Sequence, residues 1–144
     1  MKLAILTPNV SALSQPSVED IGELADRGYR SIIGNRPDGE APDQPTWNEL
    51  NAAAHARGMK AVHIPVVAGQ IGEADIRAFG EALERLPKPI AAFCRTGTRS
   101  TLLWALANVA SLTVDERIKI AAKEGYDLEP FRELLSREPS DAKS

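Results

Sequence analysis

The only cysteine of this 144-residue chain opens the run Cys94-Arg95-Thr96-Gly97-Thr98-Arg99-Ser100. A thiol followed at once by two arginines, two threonines and a glycine is a set suited to holding an anion. If the run also opens a helix, that helix adds unpaired N–H groups and about half a positive charge. A free thiol has a pKa of about 8.5, and helix N-termini and guanidinium groups lower it, so Cys94 is expected to be largely thiolate at neutral pH. The thiolate is the form that attacks electrophiles. The competing reading is that a lone cysteine after an apolar strand is simply a small buried hydrophobe. The basic, glycine-containing context favours the nucleophile. Cys94 and Arg99 are therefore the candidate catalytic pair, with Arg95, Thr96, Gly97, Thr98 and Ser100 as the anion-binding loop.

Such a loop has to be held by the elements on either side of it. Ile90 to Phe93 is an unbroken apolar run with no alternation, as expected of a parallel strand covered on both faces. Beyond the loop, Leu102, Leu103, Trp104, Leu106 and Val109 occupy every side of a helical wheel, so the helix is predicted to run through the middle of the domain. Earlier, Leu3–Leu6 and the patch from Val10 to Leu13 read as short edge strands divided by Thr7-Pro8-Asn9. Ser17 and Thr46 each begin a capping box, and the helices that follow stop at Gly28 and Gly58. Tyr29–Ile33 and Lys60–Ile64 read as further strands. The first leads into Asn35-Arg36-Pro37-Asp38-Gly39-Glu40, a turn-rich loop at the carboxyl end of a strand, where α/β sheets bind ligands. Arg36 is there a candidate third anion contact and Asp38 a candidate acid, against the alternative of a solvated loop whose charges pair with one another. His63, between Val62 and Ile64, is read as a packed, hydrogen-bonded residue pointing toward a helix layer. Asn35, Arg36, Asp38 and His63 together form a possible outer ring around the loop. Glu73–Leu86 reads as a helix, Thr113 caps another, and Asp127 starts a last one. Strand and helix alternate throughout, which predicts an α/β fold, a three-layer sandwich around a mostly parallel central sheet.

The length suits one domain, placed at residues 1–137, with 138–144 as a polar, disordered C-terminal tail. A net charge of −3 with scattered bases argues against nucleic acid as a partner. No apolar run approaches a membrane span, and the N-terminal apolar segment is too short for a signal peptide. One cysteine cannot form an internal disulfide, so a reducing, cytoplasmic setting is expected. Two histidines and one cysteine at wide spacing give no zinc pattern, and no cofactor is implied.

Two superfamilies place a nucleophilic cysteine on a strand–loop–helix element. The tyrosine and dual-specificity phosphatases put five residues between the cysteine and the closing arginine; rhodanese sulfurtransferases of the Cys-Arg-Ser-Gly-x-Arg type put four. This chain has four, Arg95, Thr96, Gly97 and Thr98, so its loop resembles that of a rhodanese. The rest of the chain resembles a dual-specificity phosphatase. More closely, Asn35-Arg36-Pro37-Asp38-Gly39-Glu40, His63-Ile64-Pro65-Val66, the Cys94 run and Leu103-Trp104-Ala105 together resemble the phosphatase-like domain of the beta-lactamase-hydrolase-like proteins, to about Tyr126. The resemblance implies a dual-specificity-phosphatase-like fold. It also implies a place in persulfide handling, beside a persulfide-dioxygenase-like enzyme as possible partner.

Two departures then bear on the chemistry. Phosphatases of this shape carry an acid just after the Ile-Pro-Val-like run, whereas here Val67, Ala68 and Gly69 have no proton to give. General acid catalysis is worth about a hundred- to ten-thousand-fold. Asp38, Glu73 or Asp75 would have to substitute. A loop one residue shorter also implies a narrower cradle, better matched to a single sulfur. The leading expectation is therefore a sulfurtransferase, moving sulfur from thiosulfate or a small persulfide through a Cys94 persulfide to a thiol, sulfite or cyanide. A phosphatase acting through phosphocysteine is the alternative, and a non-catalytic oxyanion-binding module is the third reading.

Overall fold

The structure, a computed structural model, describes residues 1–137; the tail expected at 138–144 lies outside them. Five four-residue strands form one sheet: β1 (Ala4–Thr7), β2 (Val10–Leu13), β3 (Ser31–Gly34), β4 (Lys60–His63) and β5 (Ile90–Phe93). Their order is β1-β2-β5-β3-β4, with β1 antiparallel to β2 and every other pairing parallel. The strand that leads to Cys94 is thus the middle one. Only β1 of the first pair is an edge strand. The expectation of two edges is corrected for β2, which pairs with β5 as well as β1 because all four of its side chains are buried.

Alternate residues of the inner strands divide between two cores, as the period of two in a strand requires. Leu13, Ile32, Ala91 and Phe93 pack against Ile21 and Leu24 of α1 (Val18–Asp26) and Leu50 and Ala54 of α2 (Trp47–Ala56). Val10, Ala12, Ile33, Ile90 and Ala92 face the other layer. That layer comprises α3 (Glu73–Arg85), α4 (Thr98–Ala107), α5 (Val114–Lys123) and α6 (Arg132–Ser136), the last entered through a short 3-10 turn. The result is the expected three-layer α/β sandwich. Helix starts follow the sequence closely: Ser17, Thr46 and Thr113 each accept from the backbone N–H three residues on, and the acid at that position returns the bond.

Helix α4 buries Ser100, Thr101, Leu102, Leu103, Trp104 and Ala105 in succession. It ends at Ala107 rather than continuing through Val109, because Asn108 turns left-handed at φ 46°. The Arg117 guanidinium donates to Ala105 O at 2.6 Å, placing a positive group at the carboxyl end of the helix. The amino end of α4 is thereby left pointing at the carboxyl edge of the sheet.

Two glycines show how tightly the layers meet. A Cβ on Gly34 would stand 2.6 Å from the Trp47 ring and 3.1 Å from Phe93, whereas one on Gly80, inside α3, would meet Ala107 at an ordinary 3.6 Å. Gly34→Ala is expected to lower stability by about 1–3 kcal/mol through overpacking. Gly80→Ala is expected to raise it by about 0.4–1 kcal/mol by restricting the unfolded chain. Urea midpoints of the two variants check both signs.

Candidate active site

Because β2, β5, β3 and β4 run parallel, their carboxyl ends share one edge of the sheet. Gln15 follows β2, Cys94 follows β5, Asn35 to Glu40 follow β3, and Ile64 to Val66 follow β4. That edge is where open α/β sheets bind ligands, and every group described below comes from it or from the helices that cover it.

Cys94 is fully buried, and its Sγ accepts a hydrogen bond from the Gly97 N–H at 3.0 Å. The loop thus curls back over the sulfur. The curl depends on Gly97, whose φ of 96° lies in the left-handed region and whose missing side chain leaves room for the Tyr126 hydroxyl. Tyr126 donates to Thr96 O at 3.0 Å, and Thr101 Oγ1 donates to Gly97 O at 2.8 Å. Gln15 N–H bonds Arg95 O, and Thr96 Oγ1 bonds Thr98 Oγ1. The Thr96 carbonyl held by Tyr126 keeps its peptide turned so that the Gly97 N–H faces the sulfur. The amides of Arg95, Thr96, Arg99 and Ser100 have no acceptor among the described residues. They are the unpaired donors expected at a helix start.

Arg99 spans this cradle. Its Nη1 donates to Glu40 Oε2 at 2.7 Å and to Val66 O at 2.8 Å, and its Nη2 donates to Glu40 Oε1 at 2.9 Å. Glu40 also receives Arg36 Nε at 3.0 Å, and Arg36 Nη1 continues to Gln15 Oε1 at 3.1 Å. Hydrogen bonds from Arg99, then from Arg36, and the charges of both hold the Glu40 carboxyl well below the usual range, at about 2, against the opposing effect of burial. The Arg99 pKa is raised, first by its bonds to Glu40 and, after the opposing effect of burial, by the nearby Cys94. Tyr126 is pushed up by burial and then by the charge of Cys94.

The remaining predicted residues frame the loop without facing an anion. Asn35 is fully buried; its Nδ2 donates to Ile64 O, and its Oδ1 accepts from Ser100 Oγ at 2.8 Å. Ser100 therefore locks the first turn of α4 to the ends of β3 and β4, and its hydroxyl is spent there. Arg36, read as a third anion contact, is 6% exposed and spends its guanidinium on Glu40 and Gln15, so it reaches the site only through Glu40. Asp38, read as a candidate acid, is exposed and accepts from Trp47 N–H at 2.8 Å, which ties it to the start of α2. His63 stacks on Trp47 at 4.8 Å, with its Nε2 3.1 Å from Arg36 O. Arg95 and Thr96 are exposed at the rim.

Three residues of the site had no role in the sequence reading. Glu40 carried a signal, its i, i+4 spacing from Arg36. Gln15 and Tyr126 lie 80 and 30 residues from their loop partners and carried none. Among the described residues no group of three or more His, Cys, Asp or Glu side chains could hold a metal, and no helix is long and apolar enough to cross a membrane. A surface depression of about 410 Å³ lies between α1 and α2 and includes no residue of the Cys94 loop.

Comparison with known proteins corrects the chemistry expected from loop length. The chain is 36% identical over 130 residues to the beta-lactamase hydrolase-like protein of Xylella fastidiosa, covering 89% of this chain and 30% of that one; it spans about a third of the length of the curated relatives it matches. The solved structure of a candidate phosphatase from Neisseria meningitidis is 34% identical, with a TM-score of 0.85 over 94% of this chain and 97% of that one. The core catalytic domain of a PP-IP phosphatase from S. cerevisiae shares the fold at 17% identity, with a TM-score of 0.65 over 96% and 86% of the two chains. These similarities run to phosphatases, and they overturn the sulfurtransferase expectation. Its physical premise, a cradle too narrow for phosphate, counted only the residues between Cys94 and Arg99. The first turn of α4 adds the free amides of Arg99 and Ser100 beyond that count. The family model for the beta-lactamase hydrolase-like protein, phosphatase-like domain, matches residues 2–111. The chain belongs to that family.

Proposed function

We propose that this chain is a cysteine-dependent phosphatase acting through a phosphocysteine. The observation that carries the reading is the pairing of a sulfur under the Gly97 N–H with a guanidinium fixed by Glu40, both at the amino end of α4. The Cys94 thiolate attacks phosphorus. The unpaired amides, the Arg99 guanidinium and the helix terminus take the charge that spreads over the phosphoryl oxygens. The Gly97 N–H serves the second half of the reaction, stabilising the thiolate as water attacks the phosphocysteine. A cytoplasmic setting suits a reaction that depends on one reduced thiol.

Glu40 shapes this reaction without touching the phosphoryl group. A guanidinium held at two nitrogens presents its remaining face in one orientation, so little entropy is lost when an anion arrives. Lysine at position 99 cannot be held in that way.

Mass spectrometry of the protein quenched during turnover of para-nitrophenyl phosphate is expected to find a phosphoryl group on Cys94, and Cys94→Ser is expected to abolish turnover. Turnover that survives Cys94→Ser refutes the mechanism. Phosphate binding with no turnover by the wild type favours a binding module instead. Arg99→Lys is expected to lower kcat/KM by about a hundred- to a thousand-fold.

The depressed pKa of Glu40 adds a test by pH. Its contribution to stability is complete above the ordinary value of 4.5 and is lost as pH falls toward about 2. The stability gap between wild type and Glu40→Gln, followed by urea unfolding, is thus expected to be constant above 4.5 and to close below it. A gap unchanged down to pH 2 rules out the ion pair as its source.

A further inference from the structure

The mechanism above leaves one proton without a donor, the one that a poor leaving oxygen needs as its bond to phosphorus breaks. The groups bonded around the loop are already committed. Glu40 is bonded to two arginines, and its low pKa keeps it ionised at neutral pH. Asp38 caps α2, Asp75 accepts from Gly72 N–H, and Asp127 accepts from Glu129 N–H. The Tyr126 hydroxyl gives its proton to Thr96 O, and His63 is stacked on Trp47 beside Arg36 O. Val67, Ala68 and Gly69, exposed on the segment after β4, have nothing to donate. Asp43 and Glu73 make no hydrogen bond or ion pair with the loop among the described residues.

A second observation concerns charge. Arg95, next to the nucleophile, is exposed, and its side chain has no partner among the described residues. Arg36 and Arg99 share the single negative charge of Glu40. Arg95 is therefore a free cation at the rim, where the part of a substrate beyond its transferred phosphoryl group would lie.

We infer that this site takes phosphoryl groups from leaving groups that depart as stable anions, above all the terminal phosphate of a phosphoanhydride, and that alkyl phosphate monoesters are poor substrates. The inference rests on the phosphatase reading and narrows its substrate class. In the first step the S–P bond forms and the P–O bond breaks; the leaving group takes the electron pair and needs no proton. In the second, water attacks phosphorus and the P–S bond breaks. Both protons of the water stay on the released dihydrogen phosphate, and Cys94 returns as thiolate. Charge balances at each step without an acid or a base from the protein. Arg95 lies where it would meet the negative charge of a leaving phosphate.

The test compares kcat/KM for para-nitrophenyl phosphate, phenyl phosphate and phenyl diphosphate. Without a proton donor, phenyl phosphate is expected to fall below its nitro analogue by about a hundred- to ten-thousand-fold, while phenyl diphosphate, read as phosphate release, is turned over well. Arg95→Ala is expected to lower the ratio of kcat/KM for the diphosphate to that for para-nitrophenyl phosphate by about tenfold or more. Equal rates for the two aryl phosphates overturn the inference, since some group must then be donating a proton. A selective loss of phenyl phosphate turnover in Asp43→Asn or Glu73→Gln overturns it too and identifies the donor. An equal effect of Arg95→Ala on diphosphate and aryl phosphate removes the role given to Arg95. Absence of phosphocysteine with all three substrates refutes the phosphatase reading itself, a result distinct from any of these.

Discussion

A single carboxylate between two guanidinium groups sets the posture of this site. Glu40 takes Arg99 at two nitrogens and Arg36 at one, and both arginine side chains are largely withdrawn from solvent. A pair of cations brought together beside the Cys94 loop would repel each other and wander; a shared carboxylate offsets the repulsion and fixes both planes. Exposed ion pairs contribute little, but this one acts by orientation. It converts a long, flexible arginine into one wall of a cradle.

The cradle has a second dependency in the sheet. Four parallel strands bring Gln15, Asn35, Val66 and Cys94 to one edge, although these residues are scattered over 80 positions of sequence. Backbone groups from each strand end then hold the loop: Gln15 N–H on Arg95 O, Val66 O on Arg99, and Asn35 between Ile64 O and Ser100. The loop itself has few internal bonds. Its shape is imposed from its margins, which leaves the amides of Arg95, Thr96, Arg99 and Ser100 without an acceptor among the described residues.

The same economy bears on chemistry. Carboxylates near the site are spent on structure, on Arg99, on helix starts or on a turn, and the segment after β4 is apolar. Much of this arrangement was legible in the sequence. The Cys94 run, its helix, the three capping boxes, the sheet strands and the packed His63 are local patterns, and local patterns are what sequence periodicity encodes. Loop length was legible too, but it misled: five or four residues between cysteine and arginine says how long the loop is, not how many donors meet the anion, because the first turn of α4 contributes its own.

Arg36 and Asp38 show the limit most clearly. Both stood in a turn-rich loop at the right end of a strand, and both looked available. Whether a charged side chain faces a ligand, a partner or a helix start depends on which groups the fold sets within 3 Å of it, and those come from distant positions. The sequence by itself determined the α/β alternation, the placing of the cysteine between strand and helix and the basic, glycine-containing composition of the loop it opens, since each arises from neighbours along the chain. Only the tertiary structure decided that Glu40 would clamp Arg99, that Tyr126 would close over Gly97, and that Asp38 would be taken up by α2. Ion pairs and close approaches of that kind are fixed by strand order and layer packing, which no run of adjacent residues contains.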